Sequence, residues 1–415
     1  MNRYLLAGCA AVALAMGSGA ANAQAKFEVK VGGDAYFEWG WTDQDLDSGL
    51  RSTEARNRFR FNLIPSAKAD NGLEYGARIR VRAEATATSN ASRNTGYDKA
   101  YVFAQGGFGQ VRLGLDATTQ DDTIVSRPID YLPFGLFSQA EAFMGGGQTG
   151  GITGPFVGAN ITGGQLNTIV GQNQTWPTFG DASTRIKYFS PRIAGFQLGA
   201  SYTPRNDDSG NGINRSKLGA TGTAANSQVQ GSFQDLWEAN VNYDNTFGGV
   251  KLKGQAAYYG GEASDVTGAN FKDLSAWMVG AQVGYAGFTL GGSITDFGKS
   301  GLNKGATALR WTGVNAAVVD RSGAVVYQLG AQYTAGPIVV GAGWMRGQDS
   351  GDITIAGKRK LDVYEIGAAY TVAPGFGVGI RYDYFKADSD RPNTTLGGSP
   401  DDKGSIVILH STLAF

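Results

Sequence analysis

The sequence predicts an all-β fold: a 16-stranded antiparallel transmembrane β-barrel with short periplasmic turns and long external loops. Three observations predict it. Polar and apolar residues alternate in segments of about ten residues, the length a tilted strand needs to cross a bilayer. The connections between these segments alternate strictly, short then long. Beyond the N-terminal segment no apolar run reaches the ~18 residues that a membrane helix requires.

The 415 residues carry 36 basic and 36 acidic side chains, a neutral balance that gives no reason to expect nucleic acid as a partner. Glycine is abundant, at 63 residues, beside 18 tyrosines and 21 phenylalanines. That mixture suits strands and tight turns better than helices. Residues 1–23 read as a signal peptide: Asn2-Arg3 is the charged end, Tyr4 to Met16 is apolar, and Ala21-Asn22-Ala23 is a small-x-small cleavage site. Leu6-Ala7-Gly8-Cys9 also fits a lipoprotein-type box, but too few residues precede Cys9 for a charged end and an apolar core. Cleavage after Ala23 leaves residues 24–415 as one exported barrel domain without cysteine, hence without disulfides.

Strand periodicity is clearest in Arg58-Phe59-Arg60-Phe61-Asn62-Leu63 and Arg78-Ile79-Arg80-Val81-Arg82, where one face is polar and the other apolar. A soluble sandwich has two-faced strands too, so the connections decide. Seven are turn-like: 70–72, 106–107, 193–195, 246–249, 286–287, 335–337 and 373–375. Eight longer polar stretches lie between them, near 43–52, 86–97, 116–180, 204–234, 261–272, 298–323, 347–359 and 387–403. Fifteen connections join sixteen strands with both chain ends on the short-turn side. Closure would leave no unpaired edge in the bilayer. Aromatics such as Trp39, Trp41, Trp237, Tyr258, Tyr285, Tyr370 and Tyr382 sit towards strand ends on the apolar parity, as interfacial girdles require.

The last strand, Ser405 to Phe415, ends on an aromatic, with Leu409, Leu413 and Phe415 on one parity. A terminal aromatic on an alternating strand resembles the assembly signal of outer-membrane barrels, which implies the barrel-assembly machinery as a partner of Phe415. The segment Ala100 to Gly114 resembles the fourth and fifth strands of the proteobacterial general porins, including the alphaproteobacterial branch. Arg185-Ile186-Lys187-Tyr188-Phe189-Ser190-Pro191, with Gly195-Phe196 and Ser201-Tyr202, resembles their sixth and seventh. The resemblance implies a homotrimer of barrels, each with its third external loop folded into the pore.

On the polar parity of the second and third strands lie Arg56, Arg58, Arg60, Arg78, Arg80 and Arg82. Guanidinium stays charged at any relevant pH, so this stripe would be a permanent positive wall. Scattered salt bridges are the alternative, with Glu74 and Glu84 as candidate partners. By resemblance, this is where the family carries the basic half of its pore eyelet. The opposing acids are expected in the longest connection, 116–180, since loops of this length are usually functional. They are Asp116, Asp121, Asp122, Asp130 and Glu141, with Asp181 at the far end. Acids facing arginines across a narrow gap would set ion preference. The Gly-rich part from Gly145 to Gly171 has no counterpart in the family.

Asp43, Asp45, Asp47 and Glu54 have the carboxylate offsets of a calcium loop, but Ser48 replaces the required glycine and the flanks are strands. A loose calcium or magnesium site bridging to lipid phosphates competes with a solvated acidic turn. No other cofactor is expected. An enzyme is disfavoured: the lone histidine, His410, and its neighbour Ser411 point to opposite strand faces and cannot form a nucleophile-base pair. The function these readings support is passive diffusion of small hydrophilic solutes and ions through the outer membrane, among its lipid and lipopolysaccharide. A porin selective for a sugar, phosphate or carboxylate is the alternative, and a structural or adhesive barrel the third.

Overall fold

Backbone polar groups inside a bilayer must pair within the chain, and an antiparallel sheet satisfies them all only when it closes. The computed structural model describes residues 26–45, 47, 50–85, 93–129, 143–144, 183–205, 233–263, 271–309, 315–350, 353–388 and 401–415. Its strands are β1 (Glu28–Gln44), β2 (Thr53–Lys68), β3 (Glu74–Ala85), β4 (Arg93–Gly106), β5 (Gly109–Asp116), β6 (Ser183–Phe189), β7 (Phe196–Arg205), β8 (Phe233–Phe247) and β9 (Val250–Ala263). They continue with β10 (Leu274–Tyr285), β11 (Phe288–Gly298), β12 (Thr307–Leu309), β13 (Asn315–Ala317), β14 (Ala324–Ala335), β15 (Ile338–Asp349), β16 (Arg359–Ala373), β17 (Phe376–Asp388) and β18 (Asp402–Ala414). All but β12 and β13 form one closed 16-stranded antiparallel barrel; those two make a separate hairpin within the 298–323 connection. The seven short and eight long connections fall where the sequence places them.

The seam joins β1 to β18 from Asp34↔Ala414 to Gln44↔Gly404. Phe415 extends it: the Gly33 N–H donates to the Phe415 carbonyl at 2.8 Å, the Phe415 N–H donates back at 3.1 Å, and its ring stacks on Phe59. Outward residues are apolar, and aromatic pairs gather at both rims. Trp237 lies 5.4 Å from Tyr258 towards the external end, and Phe288 lies 4.4 Å from Tyr333 towards the periplasmic end. Such rings bridge hydrocarbon and headgroup layers.

The lumen face departs from simple wet alternation. In the external half of β8–β18 many inward positions are apolar and buried, among them Phe297, Met345, Leu361, Val363, Phe385, Ile406 and Ile408, with buried polar groups such as Thr295, Asp349 and Asp402 between them. Phe143 and Met144 of the long third loop join this cluster. The interior is therefore lopsided: a buried apolar cluster with enclosed ion pairs such as Arg381–Asp383 fills that side, while charges line β2–β6.

Candidate functional site

The third loop begins at Ala117 and runs along the inner wall. A helical turn near its start, α1 (Thr119–Asp122), is capped by Thr118, whose hydroxyl accepts from the Asp121 N–H at 3.3 Å. A helix start has unsatisfied backbone N–H groups. Here Glu238 of β8 accepts from the N–H groups of Thr119 and Gln120, both at 2.7 Å, and from Ser201 Oγ at 2.8 Å. The chain then crosses strand after strand. Gln255 of β9 accepts from the Val125 N–H at 2.9 Å, and Gln282 of β10 donates to the Ser126 carbonyl at 2.7 Å. Arg127 pairs with Glu365 of β16 at 3.3 Å, both fully buried. Ile129 packs on Val339 and Ala369.

Glycines on the wall let the loop lie close. A Cβ on Gly343 would come within 2.8 Å of the Arg127 guanidinium, and one on Gly280 would strike the Val125 carbonyl. The close approach, more than backbone freedom, explains these two positions. Phe143 lies beside β1 and β2, where Thr42 Oγ1 donates to its carbonyl at 2.9 Å and the Arg56 guanidinium sits 5.5 Å from its ring.

The six arginines all face the lumen from β2 and β3, which are neighbours with Arg60 opposite Arg82. Their carboxylate partners differ from those suggested by sequence. Arg56 pairs with Glu38, while Arg58 and Arg60 share Asp34, each at 2.8 Å. Arg80 makes a two-bond contact with Asp98 at 2.6 Å, and Arg82 approaches the same group at 3.6 Å. Glu74 instead accepts from Gln105 at 2.8 Å; the Glu84 side chain lies outside the described residues. Among the described residues Arg78 donates to neutral groups alone, Asn62 at 2.6–2.9 Å and the Tyr101 hydroxyl at 3.5 Å. Asp34 and Glu38 on β1 and Asp98 on β4 are thus site residues that sequence reasoning missed. Asp98 was hidden by a bulge: β4 carries one extra residue where Arg80 pairs with Lys99 and Val81 with Tyr97. A bulge breaks the period-two rule and turns an extra side chain inward.

The loop acids have a different role from the one expected. Asp116 and Asp122 bind the wall cations beside the loop's root rather than facing the β2–β3 stripe. Lys187 reaches them at 2.9 and 2.7 Å, Lys99 at 2.9 and 3.4 Å, and Arg112 at 3.2 and 2.7 Å. At Asp122 desolvation raises the carboxyl pKa, but the fields of Lys187, Lys99 and Arg112 outweigh it and hold the group below its ordinary value. Asp121 lies on α1 next to this cluster. Asp130, Glu141 and Asp181 lie outside the described residues, as do the signal segment and the Gly-rich stretch.

In the first loop, Asp43 is on the outward parity of β1 while Glu54 is on the lumen parity of β2, held by Arg51 at 2.5 Å. Asp45 lies 3.8 Å from Lys403, and Asp47 is exposed. A site joining Asp43, Asp45 and Glu54 would need carboxylates from both faces of one hairpin. No group of three metal-ligating side chains gathers among the described residues. His410 is buried on the lumen side of β18, across the seam from Glu38, and Ser411 faces outward.

The geometry is that of a barrel narrowed by its own third loop, and comparison with known proteins places it. Uncharacterized proteins of Rickettsia conorii and Rickettsia felis are 22% and 21% identical, each match covering 94% of this chain and 93% of theirs. The anion-selective porin from Comamonas acidovorans superposes with a TM-score of 0.60 at 17% identity, over 94% of this chain and 100% of that one. A loop-deletion form of OmpT, an outer-membrane protein of Vibrio cholerae, gives 0.54 at 14% identity, over 94% and 99%. These structural likenesses concern the fold. The family profile described as Gram-negative porin matches residues 10–390. With that match running from before β1 to past the end of β17, the chain belongs to the Gram-negative porin family and is an outer-membrane β-barrel.

Proposed function

We propose that the barrel is a water-filled channel for passive diffusion of small hydrophilic solutes and ions, constricted between the arginine wall and the third loop. One observation carries this reading: six guanidinium groups line one side of a lumen whose opposite wall the loop occupies. Fixed charges at a narrowing act on every passing ion. In the same reading the chain is exported by cleavage after Ala23, inserted by the barrel-assembly machinery, and works as a homotrimer among lipopolysaccharide and lipid. Small outward residues on the early strands, Gly33, Ala35 and Ala77, suit a subunit contact.

Planar-bilayer recording tests the channel and its wall together. Wild type should give stable open conductance. Replacing Arg58, Arg78 and Arg80 with glutamine should move the reversal potential towards cations and raise conductance. Each charge acts on an ion a few ångströms away with roughly 1–4 kcal/mol before screening, at an effective dielectric of 20 to 80. Salt reduces this, since the Debye length is about 10 Å at 0.1 M. Glutamine at Arg205 and Lys299 should do much less. Unchanged reversal potential and conductance in the wall variant would remove these arginines from the constriction.

A further inference from the structure

We infer that the periplasmic vestibule holds a binding subsite for small oxyanions, the carboxylate or phosphate groups of passing solutes, with Lys68 and Arg192 as the recognising cations. The inference rests on the channel reading above and adds a place where a solute pauses. A cavity of about 500 Å³ opens between the third loop and the periplasmic ends of β2–β7. It lies on the arginine side of the lopsided lumen, and Asp122 and Thr123 of the loop form part of its lining. Its size suits a small solute and no macromolecule.

The charges in this cavity are unevenly satisfied. Asp122 is held by Lys99, Lys187 and Arg112. Arg112 in turn anchors a chain of oriented amides. It donates to Gln110 at 2.7 Å, Gln110 donates to Gln105 at 2.5 Å, and Gln105 donates to Glu74 at 2.8 Å. The other two cations are engaged differently. Among the described residues Arg192 donates to neutral acceptors alone: the Gly195 carbonyl at 2.6 Å, Gln197 at 3.1 Å and Asn242 at 2.5 Å. Those bonds fix its plane and occupy both Nη2 donors, leaving Nε–H and one Nη1–H, on different edges of the guanidinium, as single donors that an oxyanion can meet. Lys68, exposed at the end of β2, stands across from Glu74 in register and makes no ion pair among the described residues. Lys68, Arg112 and Arg192 against Glu74 and Asp122 leave one positive charge in excess. Amide N–H groups of Gln105, Gln110 and Gln197 add neutral donors around it. A positively biased, donor-rich cavity favours oxyanions over cations.

The test uses the purified full barrel in planar bilayers, with inorganic phosphate and succinate as probes in potassium chloride. Each probe should reduce the chloride current saturably, and the preferred one tells phosphate from carboxylate chemistry. In the K68Q/R192Q variant the half-blocking concentration should rise about five-fold or more, the effect of losing two partly solvated charge contacts. Heat-modifiable assembly and potassium chloride conductance should be kept, and K299Q should block like wild type. If the double variant assembles poorly, K68Q alone decides by a smaller shift in the same direction. Block at wild-type concentrations in these variants, or no block by either probe through a conducting wild-type channel, overturns the subsite. A wild-type barrel that does not conduct overturns the channel reading itself.

Discussion

Replacing Glu238 by alanine should loosen the third loop while leaving the barrel intact. The carboxylate accepts three hydrogen bonds at 2.7–2.8 Å, two of them from backbone N–H groups of Thr119 and Gln120, which are wholly buried. A buried donor stripped of its partner costs about 1–3 kcal/mol. Two such donors therefore weaken the attachment of α1 by roughly 2–6 kcal/mol. Even the lower figure raises the population of the detached segment about 30-fold, since ~1.4 kcal/mol is a factor of ten. The loop would stay tethered at Gln255, Gln282 and Glu365, so the change is partial opening, and the sheet hydrogen bonds are untouched. Single-channel records should show added current fluctuation, and protease applied to assembled barrels should cut near residues 118–124 faster. Glutamine at 238 keeps one acceptor and should fall between alanine and wild type. Identical fluctuation and identical cleavage in the alanine variant would mean that the loop is held elsewhere, and the latch would have to be abandoned.

Other consequences are open to direct measurement. Deleting Phe415 removes two seam hydrogen bonds and the stack on Phe59, and should sharply lower heat-modifiable barrel in the outer membrane while export continues; normal barrel levels would count against it. Because Asp43 and Glu54 lie on opposite faces, calcium should not change the melting temperature, and Asp45→Ala with Glu54→Ala should behave alike with and without chelator. Chelator-sensitive melting in wild type, lost in that variant, would restore the metal site. The depressed pKa of Asp122 means its contribution is complete above the ordinary carboxylate value near 3.8 and fades only as pH falls through the lower folded value. Protease resistance of the loop should therefore be flat from pH 7 to about 4; a decline between pH 7 and 5 would contradict this.

Much of the fold was legible because a barrel in a bilayer permits few arrangements. Alternation gave each strand its two faces, and turns with Gly72, Gly195, Gly287 and Gly375 at positive φ gave the hairpins. The arginine wall was legible for the same reason: Arg56 to Arg60 and Arg78 to Arg82 keep strict parity on neighbouring strands. Its acids were not, because Asp34 and Glu38 look like ordinary strand residues and Asp98 sits where the bulge shifts the period. The loop's anchors, Glu238, Gln255, Gln282 and Glu365, lie more than 100 residues from their partners, and no local pattern links them. One signal was present and unread. Ile406-Val407-Ile408-Leu409 is apolar at four successive positions, so the strand must be apolar on its lumen face too, as the buried Ile406 and Ile408 are.

The seam between β1 and β18 ties together the two ends of the chain, with Gly33 hydrogen-bonded to Phe415. Every other strand pair can form as soon as its hairpin or loop partner exists, but this one waits for β18. Until then the sheet has two open edges, each a row of unmatched N–H and C=O groups that could pair with another chain. Joining contacts so distant in sequence is slow, because the intervening chain must be ordered first. The final step of folding is therefore also the step that ends the molecule's exposure to wrong partners, and a chain lacking β1 or β18 would stay an open sheet.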